Sequence, residues 1–148
     1  SNGERMEVKN RILSENNEFY LPKEEFLTVL HFALQYPNWV QELRTEPDTS
    51  KAITYDGEKV QTSGGYDACS ETAMRRYMLE KKKKLVEDMV RKVAPEIYDY
   101  LLLGVAYGWT FWQLQEKGMP CGKDMYYRKR RQFYFCLSSE MNNVINLH

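Results

Sequence analysis

Residues 123 to 131 read Lys-Asp-Met-Tyr-Tyr-Arg-Lys-Arg-Arg. Lys123, Arg128, Lys129, Arg130 and Arg131 form a dense block of positive charge, and their chemistry is anion recognition. A guanidinium reads the edge of guanine with two hydrogen bonds, and either cation neutralises phosphate. Tyr126, Tyr127, Phe133, Tyr134 and Phe135 are interleaved with them, a mixture that can also stack on unpaired bases. Helical spacing assigns most of these rings to a core. On a 100° wheel Tyr126, Phe133, Leu137 and Met141 share one side, with Tyr127 and Tyr134 at its edge. Asp124, Arg128, Arg131 and Phe135 fall roughly opposite, and Lys123 and Lys129 lie on the flanks. The first turns of such a helix present a cationic face that fits a major groove. Arg130, nearer the core side, is expected to brace a phosphate or an acidic neighbour.

Other chemistries find less material. The histidines are His31, inside an apolar helical stretch, and His148, so a histidine-based dyad has two poor positions. Cys69, Cys121 and Cys136 lack any Cys-x-x-Cys or histidine-containing metal spacing. Glu24-Glu25 and Glu87-Asp88 are sequence neighbours that point to different sides of a helix. Ser63-Gly64-Gly65 is too short for a phosphate-cradling loop and reads as a hinge. These positions argue against an enzyme and call for no cofactor and no metal.

The elements that must hold the basic helix precede it. Thr110 is a good N-cap for a short helix carrying Phe111 and Leu114. Gly118 can take the left-handed conformation that ends it, and Pro120 fits just before the next start. The basic helix then begins near Cys121 or Gly122 and runs to about Met141. Upstream, Pro95 opens a helix with Ile97, Leu101, Leu102 and Val105 as apolar support. A helix, a sharp turn and a second, basic helix in this order constitute a helix-turn-helix.

The run GWTFWQLQEKGMPCGKDMYYRKRRQFYFCL resembles the C-terminal helix-turn-helix of phage and prophage late-gene transcription regulators of the ArpU/RinA kind, itself similar to region four of bacterial sigma factors. In those families a Gly-aromatic-Thr opens the first helix and a basic helix with an aromatic tail reads promoter DNA. The likeness covers roughly the second half of the chain. Gln115 stands where such units commonly carry a small residue for close helix packing, and Cys121-Gly122 replaces the more usual serine cap. The resemblance implies double-stranded DNA as a partner, host RNA polymerase as a possible second one, and contacts from Lys123, Tyr127, Arg128, Lys129, Arg130 and Arg131.

Composition sets the frame. The chain has 148 residues, 43% hydrophobic and 28% charged, with formal net charge zero. The charge is segregated: acids such as Glu15, Glu18, Glu24, Glu25 and Glu42 dominate before residue 49, whereas Lys81 to Lys84 and Lys123 to Arg131 are cationic blocks. The lysine run is read as a solvated helix face. No run approaches the roughly 18 apolar residues of a membrane span, no signal-like segment is read at the start, and unpaired cysteines suit a reducing bacterial cytoplasm. Ser1-Asn2-Gly3 resembles the remnant of a cleaved tag.

Four segments are expected. Residues 1–20 form a polar arm, and 21–44 an N-terminal helical segment opened by Pro22 and the acids after it, with Phe26, Leu27, Leu30, Ala33 and Leu34 at helical spacing and an end at Pro37. Residues 45–66 form a loop or small hairpin, with Asp56-Gly57 between Ile53-Thr54-Tyr55 and Lys59-Val60-Gln61. Residues 67–148 hold a long helix, capped by Asp67 or Ser70 and ending at Val93, followed by the helix-turn-helix. Its stripe is Met74, Met78, Leu85, Met89 and Val93, and its length leaves part of it to project or to pair in a homodimer. The expected fold is all-α, and the expected function is sequence-specific transcriptional regulation, with the basic helix 122–141 on promoter DNA. Two alternatives are a phage DNA-packaging adaptor assembled through the long helix, and a protein interaction module using the acidic N-terminal helix and an exposed Trp39.

Overall fold

The computed structural model describes residues 13–45 and 63–146, with side chains described to 45 and from 70 to 143. Over those residues the protein is all-helical, with no strand. The order is α1 (Lys23–Ala33), α2 (Tyr36–Arg44), α3 (Ser63–Val93), a short 3-10 turn (Pro95–Ile97), α4 (Tyr98–Tyr107), α5 (Phe111–Lys117) and α6 (Lys123–Asn146). The hairpin expected over 53–61 lies outside the described residues. No helix among those described is long and apolar enough to cross a membrane.

Local chemistry sets most boundaries. Pro22 is the N-cap of α1, with Glu24 and Glu25 in the first turn, where their charge complements the positive end of the helix dipole. Pro37 has the opposite role from the expected one. It sits in the first turn of α2 rather than ending the element before it, because a missing N–H costs nothing where no intrahelical partner exists. The Ser63-Gly64-Gly65 hinge is likewise corrected: these residues are the start of α3, and Asp67 and Ser70 lie inside it.

The long helix behaves as two halves. Val86, Met89, Val90 and Val93 are buried, and this inner half packs on α4 and α6. Met74, Tyr77 and Met78 in the outer half are exposed, so the expected stripe continues in sequence but not in burial. The outer half is tied to α2 by polar contacts. Arg75 pairs with Glu42 at 2.7 Å, and Arg76 donates to the carbonyls of Leu43 at 3.1 Å and Thr45 at 3.4 Å, closing the end of α2. Trp39 is buried, not exposed. It sits in α2 against Phe32 and Tyr36, with Lys82 of α3 over its ring. That placement removes the anchor of the interaction-module reading.

The remaining core is assembled around α6. Tyr126, Phe133, Tyr134 and Leu137 are buried along one side of it. Val29, Leu30 and Ala33 of α1, Leu101 and Val105 of α4, and Phe111 and Leu114 of α5 belong to the same cluster. α1 and α3 both pack directly on α6, so the helix carrying the cationic block is also the one on which the fold closes.

Candidate nucleic-acid interface

The turn that aims α6 is built from capping groups legible in the sequence. α4 ends at Gly108, which takes the left-handed conformation at φ 74°. Thr110 then opens α5 as expected, and the contact is reciprocal: its hydroxyl accepts from the Gln113 N–H at 3.2 Å, while the Gln113 side chain accepts from the Thr110 N–H at 2.8 Å. The Thr-x-x-Gln spacing of a capping box was available from sequence alone. Gly118 ends α5 at φ 109°, a conformation a side chain rarely tolerates. The Met119 N–H donates to the Leu114 carbonyl, and Met119 itself is buried, which pulls the turn inward. α6 begins at Lys123, one to two residues later than expected, and extends beyond Met141 to Asn146.

Close packing of the three helices depends on Gly104. A Cβ at this position would lie 1.9 Å from the Tyr126 hydroxyl oxygen and 3.2 Å from the ring carbon bearing it. Tyr126 in turn meets Phe111 at 5.9 Å and Tyr127 at 5.1 Å between ring centroids. The small residue of the unit is therefore in α4, opposite a large tyrosine of α6. Gln115, standing where a small residue was looked for, is exposed and needs no room. A glycine inside the apolar run 101–107 was the sequence signal for this approach.

The five cations separate into two groups. Lys129 and Arg130 are occupied inside the fold. The Lys129 ammonium donates to the Val93 carbonyl at 3.1 Å, at the C-terminal end of α3, and lies 3.8 Å from Glu96. A cation is favourable there because the last carbonyls of a helix carry partial negative charge. Arg130 lies over the rings of Tyr127 and Tyr134 and hydrogen-bonds Tyr134. It braces aromatic faces from the edge of the core side. Tyr127 is half-buried in the same cluster, against Phe111 and Tyr126, and burial raises its pKa although Arg130 opposes the shift. No periodicity argument identifies these partners, since Lys129 and Val93 are brought together only by tertiary packing.

Lys123 and Arg128 point outward, and Arg131 lies between the two groups. Lys123 is exposed at the first turn of α6, 5.7 Å from the ring centroid of Trp112, itself an exposed residue of α5. Asp124, Met125 and Arg128 are exposed beside it. Arg131 is half-buried, and its Nε is a buried donor with no hydrogen-bond partner. Arg128 pairs with Glu18 at 2.9 Å and lies over the Phe19 ring, so the described part of the expected arm rests on α6. Phe135, read from the wheel as facing outward, is half-buried because Phe19 covers it at 5.9 Å.

The lysines of the run each have a partner on the protein surface. Lys83 and Lys84 pair one turn on with Glu87 and Asp88, each at 2.9 Å, and Lys81 and Lys82 lie over Tyr77 and Trp39. All but the Lys82–Trp39 contact, which reaches across to α2, are the local pairings a helix face provides. Cys121 and Cys136 are free, and burial pushes the Cys121 thiol up, away from the thiolate form a nucleophile needs. Among the described residues no group of three His, Cys, Asp or Glu side chains could hold a metal.

No protein-family model, no curated protein and no solved structure matches the chain.

Proposed function

We propose that this protein is a sequence-specific DNA-binding transcriptional regulator of phage or prophage type, with α4, α5 and α6 as a sigma-like helix-turn-helix. The single observation carrying the reading is the start of α6. A doubly capped α5 and the Gly118 turn fix a helix whose first two turns expose Lys123, Met125 and Arg128, while its opposite side is buried. Residues at the N-terminal end of a recognition helix are those that meet base edges. In this reading Arg128 reads a base, Lys123 and Arg131 meet phosphates, and Lys129, Arg130 and Tyr127 hold the helix rather than touch DNA. The segregated charge of a chain with net charge zero supports it, because a cationic face this local needs no basic protein.

The test is selection from a random duplex pool at several salt concentrations, with sequencing of the retained fraction. One enriched motif is expected, weakened by salt, with Arg128→Ala costing about 1–3 kcal/mol and relaxing preference at one position. An equal loss on all sequences would move Arg128 to phosphate. Retention without a motif would favour the packaging adaptor, and no retention at low salt by any variant would overturn DNA binding.

A further inference from the structure

The segment before α1 does more than lead into it. The Asn17 N–H donates to the Ser14 carbonyl and the Tyr20 N–H to the Asn17 carbonyl, both at 3.0 Å, while the Asn17 side chain accepts from the Phe19 N–H at 2.8 Å. Asparagine is suited to this, because its side chain bonds the backbone two residues on. The turns present Glu18 and Phe19 side by side, and buried Leu21 holds the end of the segment in the core. The two side chains land on the outward face of α6. Glu18 pairs with the Arg128 guanidinium at 2.9 Å, and Phe19 lies 5.4 Å from that guanidinium and 5.9 Å from Phe135.

We propose that Glu18 and Phe19 form an intramolecular gate over the recognition face, a carboxylate occupying Arg128 where a nucleic-acid group would sit. The inference rests on the DNA-binding reading of α6. The geometry makes the gate light. Both members of the ion pair are more than half exposed, at 54% and 59% of side-chain area. A pair so open to water is displaced at small cost. The aromatic contact is what keeps the carboxylate near its partner, so removal of either side chain opens the face. DNA binding and docking of residues 14–20 then exclude each other, and each weakens the other by the same factor.

The experiment uses the full chain and a fluorescein-labelled random-sequence duplex at low salt. Glu18→Gln is expected to tighten binding about two- to fivefold, the range of an exposed ion pair. Phe19→Ala should act in the same direction. Glu15→Gln removes the same charge without touching Arg128 and should change little. In an Arg128→Ala background the gain from Glu18→Gln should vanish, and added duplex should speed amide exchange at residues 14–20 in the parent. Binding by the parent with unchanged affinity in Glu18→Gln and Phe19→Ala would remove the gate and leave the DNA reading standing. A gain that persists without Arg128, or is matched by Glu15→Gln, would also overturn it. Failure of every variant to bind duplex would remove both the gate and the reading on which it rests.

Discussion

The outer half of α3 and the α4–α6 unit carry comparable apolar residues at helical spacing, yet only one of them forms a core. In the unit, Leu101, Leu114, Phe133 and Leu137 are fully buried, and each helix meets the others through large side chains. In the outer half, Met74 is 59% exposed and Tyr77 56%, and the attachment to α2 runs through guanidiniums paired with a carboxylate and with carbonyls. The difference teaches that periodicity specifies a face, while burial needs a second face at the right distance. α1, the inner half of α3, and α4 supply that face to α6, and Gly104 lets α4 approach. Met74, Tyr77 and Met78 of α3 have no such cover among the described residues and are exposed.

Removing that close approach is the most damaging way to break the contrast. Gly104→Ala should destabilise the protein by about 1–3 kcal/mol, as overpacking of a filled core does. Alanine normally improves a helix interior over glycine by about 0.8–1 kcal/mol, so the sign itself is diagnostic. The severe clash is with the Tyr126 hydroxyl oxygen, the ring carbon behind it at 3.2 Å needing only a small shift. Tyr126→Phe should therefore rescue most of the loss in the double variant, measured by chemical denaturation. Additive losses would mean that backbone packing, not the hydroxyl, sets the helix spacing.

Much of this unit is legible in the sequence. Thr110, Gly118 and the Tyr126–Phe133–Leu137 side of α6 are local signals, each readable from one residue type and its spacing. The all-α fold follows from the same periodicities. Pro37 was misassigned because a proline marks both the end of one helix and the first turn of the next, and only the two residues between Ala33 and Tyr36 decide which. Which cations face outward was only half legible. The wheel places Arg128 outward and Arg130 nearer the core side, but the turn of Lys129 toward the end of α3 comes from a segment distant in sequence, and the seat of Arg130 over Tyr127 and Tyr134 from ring packing. The covering of Phe135 by Phe19 was likewise invisible, since a polar segment with few apolar anchors gives no periodic signal.

A smaller effect is expected at the boundary between the two halves of α3. Tyr36 of α2 donates its hydroxyl hydrogen to Glu87, which also pairs with Lys83. Tyr36→Phe should cost about 0.5–1.5 kcal/mol at neutral pH, the net worth of one hydrogen bond, because Lys83 keeps the carboxylate partnered. Burial, then the bond to Glu87, holds the Tyr36 phenol far above its ordinary value, and burial moves Tyr98 and Tyr126 in the same direction. Folded-state pKa values raised above an unfolded value of about 10 leave stability unaffected below that pH and reduce it as pH rises further. Denaturant midpoints should thus stay level with respect to these groups up to about pH 10 and fall above it, less steeply in Tyr36→Phe. An unchanged alkaline slope in that variant would show that Tyr36 ionises as easily folded as unfolded.

The smallest effect belongs to the outer half of α3, and its size is the informative quantity. Met74→Ser and Tyr77→Ser replace side chains that already face water in a single chain, so each should change stability by no more than about 0.5 kcal/mol. Some of that change comes from helix propensity, since serine is a weaker helix former than methionine, and not from lost contacts. Dilution separates the two sources. A propensity effect is the same at every protein concentration, whereas burial of Met74, Tyr77 and Met78 against a second copy would make the loss vary with concentration, because association stabilises by mass action. A concentration-independent change within this range keeps the outer half as a solvated extension of an inner core. A larger loss in Tyr77→Ser that depends on concentration would give this stripe the facing surface that the described residues do not supply.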